Sequence, residues 1–300
     1  MDMDADRKPQ RTTTYRGRLT DTNRWDAFRP RADDIFICTP PKCGTTWTQA
    51  ICAMLILSSP DFEGRLTDIS PWFDAELESL DVCVANLEAQ QHRRFIKTHT
   101  PLDGIPYYAW GTYLVVYRDP RDVYFSIRNH LLNMWEPPDI AQPAPDPRDG
   151  FRAWLNESFR PGVGEQRSLE AVVYHYTSFK RFGHLPNMHF FHYADMQRSL
   201  GEAVARIASL LALELTEEKL EALCQNLSFS SMKKNAGVLA PAAGKPYFKS
   251  DSSFFSSGQN RQWQEVLGPD DIGCYQTRSR SLLPESDLHW LENGGTRGPL

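Results

Sequence analysis

An α/β fold is what this sequence predicts: a single domain whose central, mainly parallel sheet is flanked by helices. Three observations predict it. Four short apolar runs, at 35–38, 95–97, 113–117 and 189–193, recur along the chain. None alternates strictly between apolar and polar residues, which suits strands covered on both faces. Among them lie stretches whose apolar residues fall three or four apart, the period of a helix with one buried face. Strands alternating with helices build parallel sheets, and such sheets bind ligands beyond the carboxyl ends of their strands. The residues that follow each run therefore carry the functional reading.

Composition bounds the other possibilities. Three hundred residues, 41% hydrophobic and 24% charged, make a globular chain that can bury a core without disulfide staples. A formal net charge of −5 excludes a general nucleic-acid binder, which needs a basic face, but not a basic pocket for one anion. The longest mostly apolar run, 50–57, falls far short of the roughly 20 residues that span a bilayer, so no transmembrane segment is expected. The polar, acidic start MDMDADRKPQR is unlike a signal peptide. Six cysteines, at 38, 43, 52, 83, 224 and 274, form no CxxC pair and no zinc spacing. Reduced, buried thiols in a cytoplasmic protein are expected. Residues 1–14 and 295–300 read as flexible ends around one domain at 15–294. The segment EPPDIAQPAPDPRDG, 136–150, holds five of the 21 prolines and reads as a loop, the kind that often forms a lid.

The first run is followed by TPPKCGTTWTQ, 39–49, with a helix expected over 45–57. Gly44 lets the backbone turn closely, and the free N–H groups of the helix start attract an anion. Lys42 adds charge, and Thr45 and Thr46 add hydroxyl donors. This is a phosphate cradle but not a Walker A loop, in which the lysine follows the last glycine. The second run ends in KTHTP, 97–101, which places His99 at a strand end opposite that cradle. The third is followed by RDPRDVYFSIRNH, 118–130. Asp119 can cap a helix that opens with Pro120, a favoured first position for proline. Arg118 at the strand end can grip a phosphate bidentately. Ser126 lies about two helical turns on and can donate its hydroxyl. Arg121, Asp122 and Arg128 read as surface charges on that helix. Further helices are expected over 121–133, 169–182 and 200–213, and Thr216 caps another with Glu217 and Glu218 in its first turn.

Three of these segments, PKCGTTW, KTHTP and RDPRDVYFS, resemble the signatures of the cytosolic-type sulfotransferases, where they appear as PKSGTTW, KTHLP and RNPKDVxVS. Their order and approximate separation match too. HYADM (192–196) is similar to the family's YEDM, SFSSMKKN (228–235) to SFxxMKKN, and FFSSGQNRQW (254–263) to FxRKGxxGDW. The resemblance spans roughly 35–265 and is strongest to bacterial, particularly mycobacterial, members.

The resemblance implies transfer of a sulfuryl group from 3'-phosphoadenosine 5'-phosphosulfate (PAPS) to an acceptor hydroxyl or amine, with no metal. It implies that Lys42, Cys43, Gly44, Thr45, Thr46 and Trp47 hold the 5'-phosphosulfate, Trp47 also lying near the adenine. Arg118 and Ser126 would hold the 3'-phosphate, Tyr193, Leu227 and Phe229 would line the adenine, and 254–258 would close over the 3'-phosphate. His99 would be the general base, Lys97 would assist at the transferring group, and Lys42 would stabilise the leaving phosphate. An imidazole, with a reference pKa near 6.5, suits a base at neutral pH.

The chain departs from the pattern in places. Cys43 replaces serine, and a cysteine near a helix N-terminus is a candidate reactive thiol. Leu227 stands where many members have threonine. Ser256 and Ser257 replace an arginine and a lysine beside Phe254 and Gly258, and Arg261 is a candidate substitute. The family's dimerisation pattern KxxxTVxxxE gives way to QEVLGPDDIG, which leaves the oligomeric state open. Trp72, Phe73, Leu102, Trp135, Trp154, Tyr247 and Phe248 fall in segments that surround the acceptor pocket. They imply an apolar acceptor, phenol or glycolipid, with 136–150 on the rim. Two other readings stand beside this one: a P-loop nucleotide-dependent kinase, and a non-catalytic nucleotide-binding relative.

Overall fold

The computed structural model describes residues 8–59, 64–135, 142–241 and 247–295. Four strands, β1 (Ile35–Cys38), β2 (Phe95–Thr98), β3 (Thr112–Tyr117) and β4 (Met188–His192), form one sheet in the order β2-β1-β3-β4, each neighbouring pair parallel. Cys38 stands opposite Thr98 on one side and Val115 on the other, and Tyr117 stands opposite His192. The carboxyl ends of all four strands therefore emerge along one edge.

Side chains alternate between the two faces of the sheet. Ile35, Ile37, Phe95, Leu114, Val116 and Phe191 enter one core, and Phe36, Cys38, Ile96, Tyr113, Val115 and Tyr117 enter the other. The helix after β1, Thr45–Ile56, packs Ala50, Ile51 and Met54 into the first core. The helix after β3, Pro120–Leu132, packs Val123, Tyr124 and Ile127 into the second. Two helices thus leave adjacent strands for opposite faces. Between their starts opens a crevice at the topological switch point, the place where sheets of this kind bind ligands.

The expected strands are present, with β4 ending one residue early because Tyr193 opens the helix Tyr193–Arg198. The expected helices form too, two of them as Leu169–Lys180 and Leu200–Leu210, and Asp119 and Thr216 cap as expected by accepting the amides of Arg121 and Lys219. The loop expected over 136–150 is corrected at its end. Residues 136–141 lie outside the described residues, but a helix, Pro147–Asn156, begins within the segment. Its Pro147 occupies the first turn and Asp146 accepts the Arg148 amide, so that proline starts a helix rather than preventing one.

Arg121 and Asp122 are not surface charges: they are 8% and 1% exposed. Arg121 pairs with Asp119 and lies over the Trp263 and Tyr275 rings. Asp122 accepts the amides of Arg261 and Gln262 at 2.8 and 3.0 Å, which ties the segment around residue 260 to this helix. The tail expected to be frayed up to 14 is tied down from Arg11, which pairs with Asp26, and the amides of Thr12 and Thr13 donate to the Asp103 carbonyl. Cys274 is exposed rather than buried.

Candidate active site

The cradle after β1 is built by backbone geometry. Gly44 has φ +99°, and a Cβ there would lie 2.9 Å from the Tyr193 ring, so the turn requires glycine both for conformation and for space. Lys42 adopts φ +69°, a left-handed conformation that costs a non-glycine residue roughly 1–2 kcal/mol. The helix Thr45–Ile56 then starts without a side-chain cap, so its first amides face the crevice. Thr45 and Thr39 hydroxyls share a 2.6 Å hydrogen bond. The Trp47 indole donates to the Leu227 carbonyl at 2.9 Å and meets the Tyr193 ring edge-on.

His99 follows β2. Its Nδ1 lies 2.8 Å from the Thr39 carbonyl, which can only accept, so Nδ1 carries the proton and Nε2 keeps the free lone pair. Trp72 packs edge-on against the imidazole with ring centroids 4.8 Å apart. Behind the loop, buried Asp74 accepts from Thr98 and Thr100 at 2.6 and 2.7 Å and from the Trp25 indole. The two threonines that flank His99 are thereby pinned.

Arg118 follows β3, stacks over Tyr193 with its guanidinium 4.5 Å from the ring centre, and donates to the Gln259 carbonyl at 2.6 Å. Its Nε is buried and unpartnered. Gly258 has φ +66°, and a Cβ there would press to 2.3 Å of the Phe229 ring. Tyr193 and Gln197 donate to its carbonyl.

One cavity of about 1240 Å³ joins these parts. It is lined by Lys42, Gly44, Thr45, Thr46, Trp47, Lys97, His99, Arg118, Ser126, Tyr193, Leu227, Phe229, Phe254, Ser256, Ser257 and Gly258, the expected set apart from Cys43. Cys43 is fully buried beneath the loop, and burial pushes its thiol up to about 12. The expected reactive thiol is thus corrected: loss of solvation outweighs the nearby Arg118 charge. Arg261 is corrected as well, since it lines a separate, smaller cavity with Asp119, Asp122 and Glu292. Of the acceptor candidates, Trp72, Tyr247 and Phe248 line the main cavity. Phe73, Leu102 and Trp154 are packed in the core, and Trp135 is exposed outside the cavity lining.

The cavity is electropositive. Lys42, Lys97, Arg118 and Arg167 line it, and none has a carboxylate within ion-pair distance among the described residues. Burial, then the Arg118 and Lys97 charges, lower Lys42 to about 7. Burial lowers Lys97 to about 8, with Asp74 opposing. Burial and the Lys97 charge hold His99 at about 3, so its imidazole is neutral. Lys42 reaches His130 Nδ1 at 3.3 Å and the face of Phe254 at 4.4 Å. Asp74, His130 and Arg167 are functional candidates that the sequence reading missed. His130 closes the segment after β3 and Asp74 follows Phe73, but their roles depend on partners from other segments, and Arg167 lies outside every quoted run.

An orphaned Arg118 Nε, unpaired ammonium groups and two glycines crowded by aromatic rings fit a polyanionic nucleotide. The sulfotransferase domain family matches residues 32–286. The chain belongs to the sulfotransferase family. It is 34% identical to a glycolipid sulfotransferase of Mycobacterium bovis, over 93% of this chain and 94% of that one. It is 28% identical to human sulfotransferase 1E1, over 70% and 71% of the two chains. Among solved structures it is similar to mouse sulfotransferase SULT7A1 complexed with PAP, with TM-score 0.69, 18% identity, and 89% and 90% of the chains covered. Retinol dehydratase with retinol and PAP superposes with TM-score 0.69 at 20% identity over 88% and 84%. Those two likenesses concern the fold. Family membership makes the chain a PAPS-dependent sulfotransferase, the class that its signature segments imply.

Proposed function

We propose that this sulfotransferase moves the sulfuryl group of PAPS to a hydroxyl of an apolar, phenol- or glycolipid-like acceptor, with His99 as general base. The observation that carries the proposal is the Nδ1 contact to the Thr39 carbonyl, which leaves the Nε2 lone pair of a cavity-lining imidazole available. When bound, the nucleotide supplies an activated sulfuryl group on a good leaving phosphate. The residues of the chain do the rest. The cradle amides with Thr45 and Thr46 bind and orient the phosphosulfate, while Arg118 and Ser126 take the 3'-phosphate. Trp47, Tyr193, Leu227 and Phe229 sandwich the base. Nε2 of His99 accepts the acceptor's hydroxyl proton as the oxygen attacks. Lys42 faces the charge that grows on the leaving oxygen, and Lys97 faces the sulfonate.

The neutral state of His99 is a requirement of this role, since an imidazolium has no lone pair. Anionic charge brought beside Lys42 and Lys97 offsets the cations that hold its pKa low, and so raises its basicity when both substrates are in place. Leu77, Val163 and Tyr247 line the cavity and are 49%, 37% and 45% exposed, which provides an apolar mouth for a lipid-like tail. The mycobacterial relative's name, glycolipid sulfotransferase, supports that class. The unpaired thiols accord with a cytoplasmic site of action.

The test is transfer of ³⁵S from labelled PAPS to a panel of phenols and glycolipids. Labelled product that forms equally with and without EDTA is expected. Transfer of label from γ-labelled ATP instead, lost with EDTA, would replace this reading with a kinase. Nucleotide binding with no transfer to any acceptor would leave a binding module.

A further inference from the structure

We propose that Arg167 forms an anion subsite on the acceptor side of the cavity, so that the preferred acceptor carries a carboxylate or similar negative group besides its hydroxyl. The inference rests on the sulfuryl-transfer reading above and narrows its substrate class.

Arg167 is held from two sides. Its carbonyl accepts the indole N–H of buried Trp154. The next residue, Ser168, caps the helix Leu169–Lys180 by accepting the Ala171 amide. The side chain lines the main cavity, and its Nη1 is buried without a hydrogen-bond partner. The carboxylates of Glu165 and Glu157, which also line the cavity, act on its charge, yet neither forms an ion pair with it among the described residues. Glu165 is committed elsewhere, accepting the amides of Arg18, Leu19 and Thr20.

Its placement points to the acceptor. Lys42, Lys97 and Arg118 stand at or beside three strand ends, where the donor's anionic groups are read. Arg167 enters from a different segment, and its charge lowers His130 and, less, His99, while also reaching Lys42. Arg167 is half-buried, and its buried, partnerless Nη1 is poorly solvated, so an anion there restores what burial removed. A neutral acceptor leaves that donor orphaned, so the site discriminates by what it fails to satisfy.

The experiment uses 4-hydroxyphenyl acids with side arms of one, two and three carbons, each beside its methyl ester. Binding to the protein saturated with PAP is read by calorimetry, and kcat/KM is read with saturating PAPS. At least one acid is expected to exceed its ester by about 10- to 100-fold in both measurements. Arg167→Gln brings that ratio close to one, and Arg167→Lys keeps part of it. Equal binding of every acid and ester by the wild-type protein overturns the proposal, and that comparison needs no variant to fold. A Gln variant that weakens PAP, or loses acid and ester alike, also overturns it, because Arg167 then serves the donor or the fold. If PAP itself does not bind, the donor reading fails instead, and the acid–ester ratio is read on the protein alone.

Discussion

Donor binding should be strongly linked to protons, with Lys42 as the main carrier. In the free protein, burial and the neighbouring Arg118 and Lys97 charges put Lys42 at about 7, and burial puts Lys97 at about 8. At pH 8, about nine tenths of Lys42 and about half of Lys97 are therefore neutral. A bound polyanion favours the ammonium forms and raises both pKa values. A base whose pKa rises on binding takes up protons, so affinity is full below the free value and falls as pH climbs through it. About 1.4 protons should be taken up per PAP bound at pH 8, where phosphate second ionisations near pH 6 are complete. Between pH 7 and 9 the affinity should fall on the order of 10²- to 10³-fold. The perturbation is Lys42→Met, which should cut the uptake to about half a proton. Calorimetry in buffers of different ionisation enthalpy reads the number directly. No net uptake in the wild type, or the same uptake in Lys42→Met, would refute the argument that the empty cavity discharges its lysines.

Three further outcomes follow from local geometry. Gly258→Ala should destabilise the fold by about 1–3 kcal/mol and weaken PAP binding, because φ is +66° and Phe229 already fills the Cβ position; denaturant titration and calorimetry that match wild type would contradict this. Ser256→Arg should tighten a 3'-phosphorylated nucleotide about 10- to 100-fold and leave its 3'-dephospho analogue unchanged, whereas equal tightening of both would place Ser256 away from that phosphate. A maleimide under native conditions should label Cys274 and spare Cys43, which is buried and held near 12; peptide mapping that finds Cys43 labelled first would show the phosphate loop opening.

The residues that line the crevice are legible in sequence because they follow strands. Gly44, His99, Arg118 and Tyr193 are each next to or just beyond a strand end, and parallel pairing brings such ends together. Other features escaped it where long-range contacts decide. Asp74 is one of several acids in a row, with Glu76, Glu78 and Asp81, and what sets it apart is that Thr98 and Thr100 donate to it. Arg121 looked solvated because helical spacing cannot foresee Trp263 and Tyr275 arriving from 140 and more residues away. Cys43 was judged by its helix start, and its burial was invisible. Phe73, Leu102 and Trp154 show that an apolar residue in a pocket-forming segment is as readily core as lining. The helices Leu80–Ala89, Pro269–Leu282 and Glu285–Asn293 were not read. Pro269–Leu282 buries Asp271, Tyr275 and Ser279, each four residues apart, but two of the three are polar, so no apolar period shows.

The central claim is that His99 acts on the acceptor's proton and not on the donor. It is tested most directly by His99→Ala, with PAP binding and ³⁵S transfer measured on the same preparation. The account predicts PAP affinity close to wild type and transfer reduced by about 10² to 10⁴. Transfer within a few-fold of wild type, or a loss of PAP binding that matches the loss of rate, would contradict it.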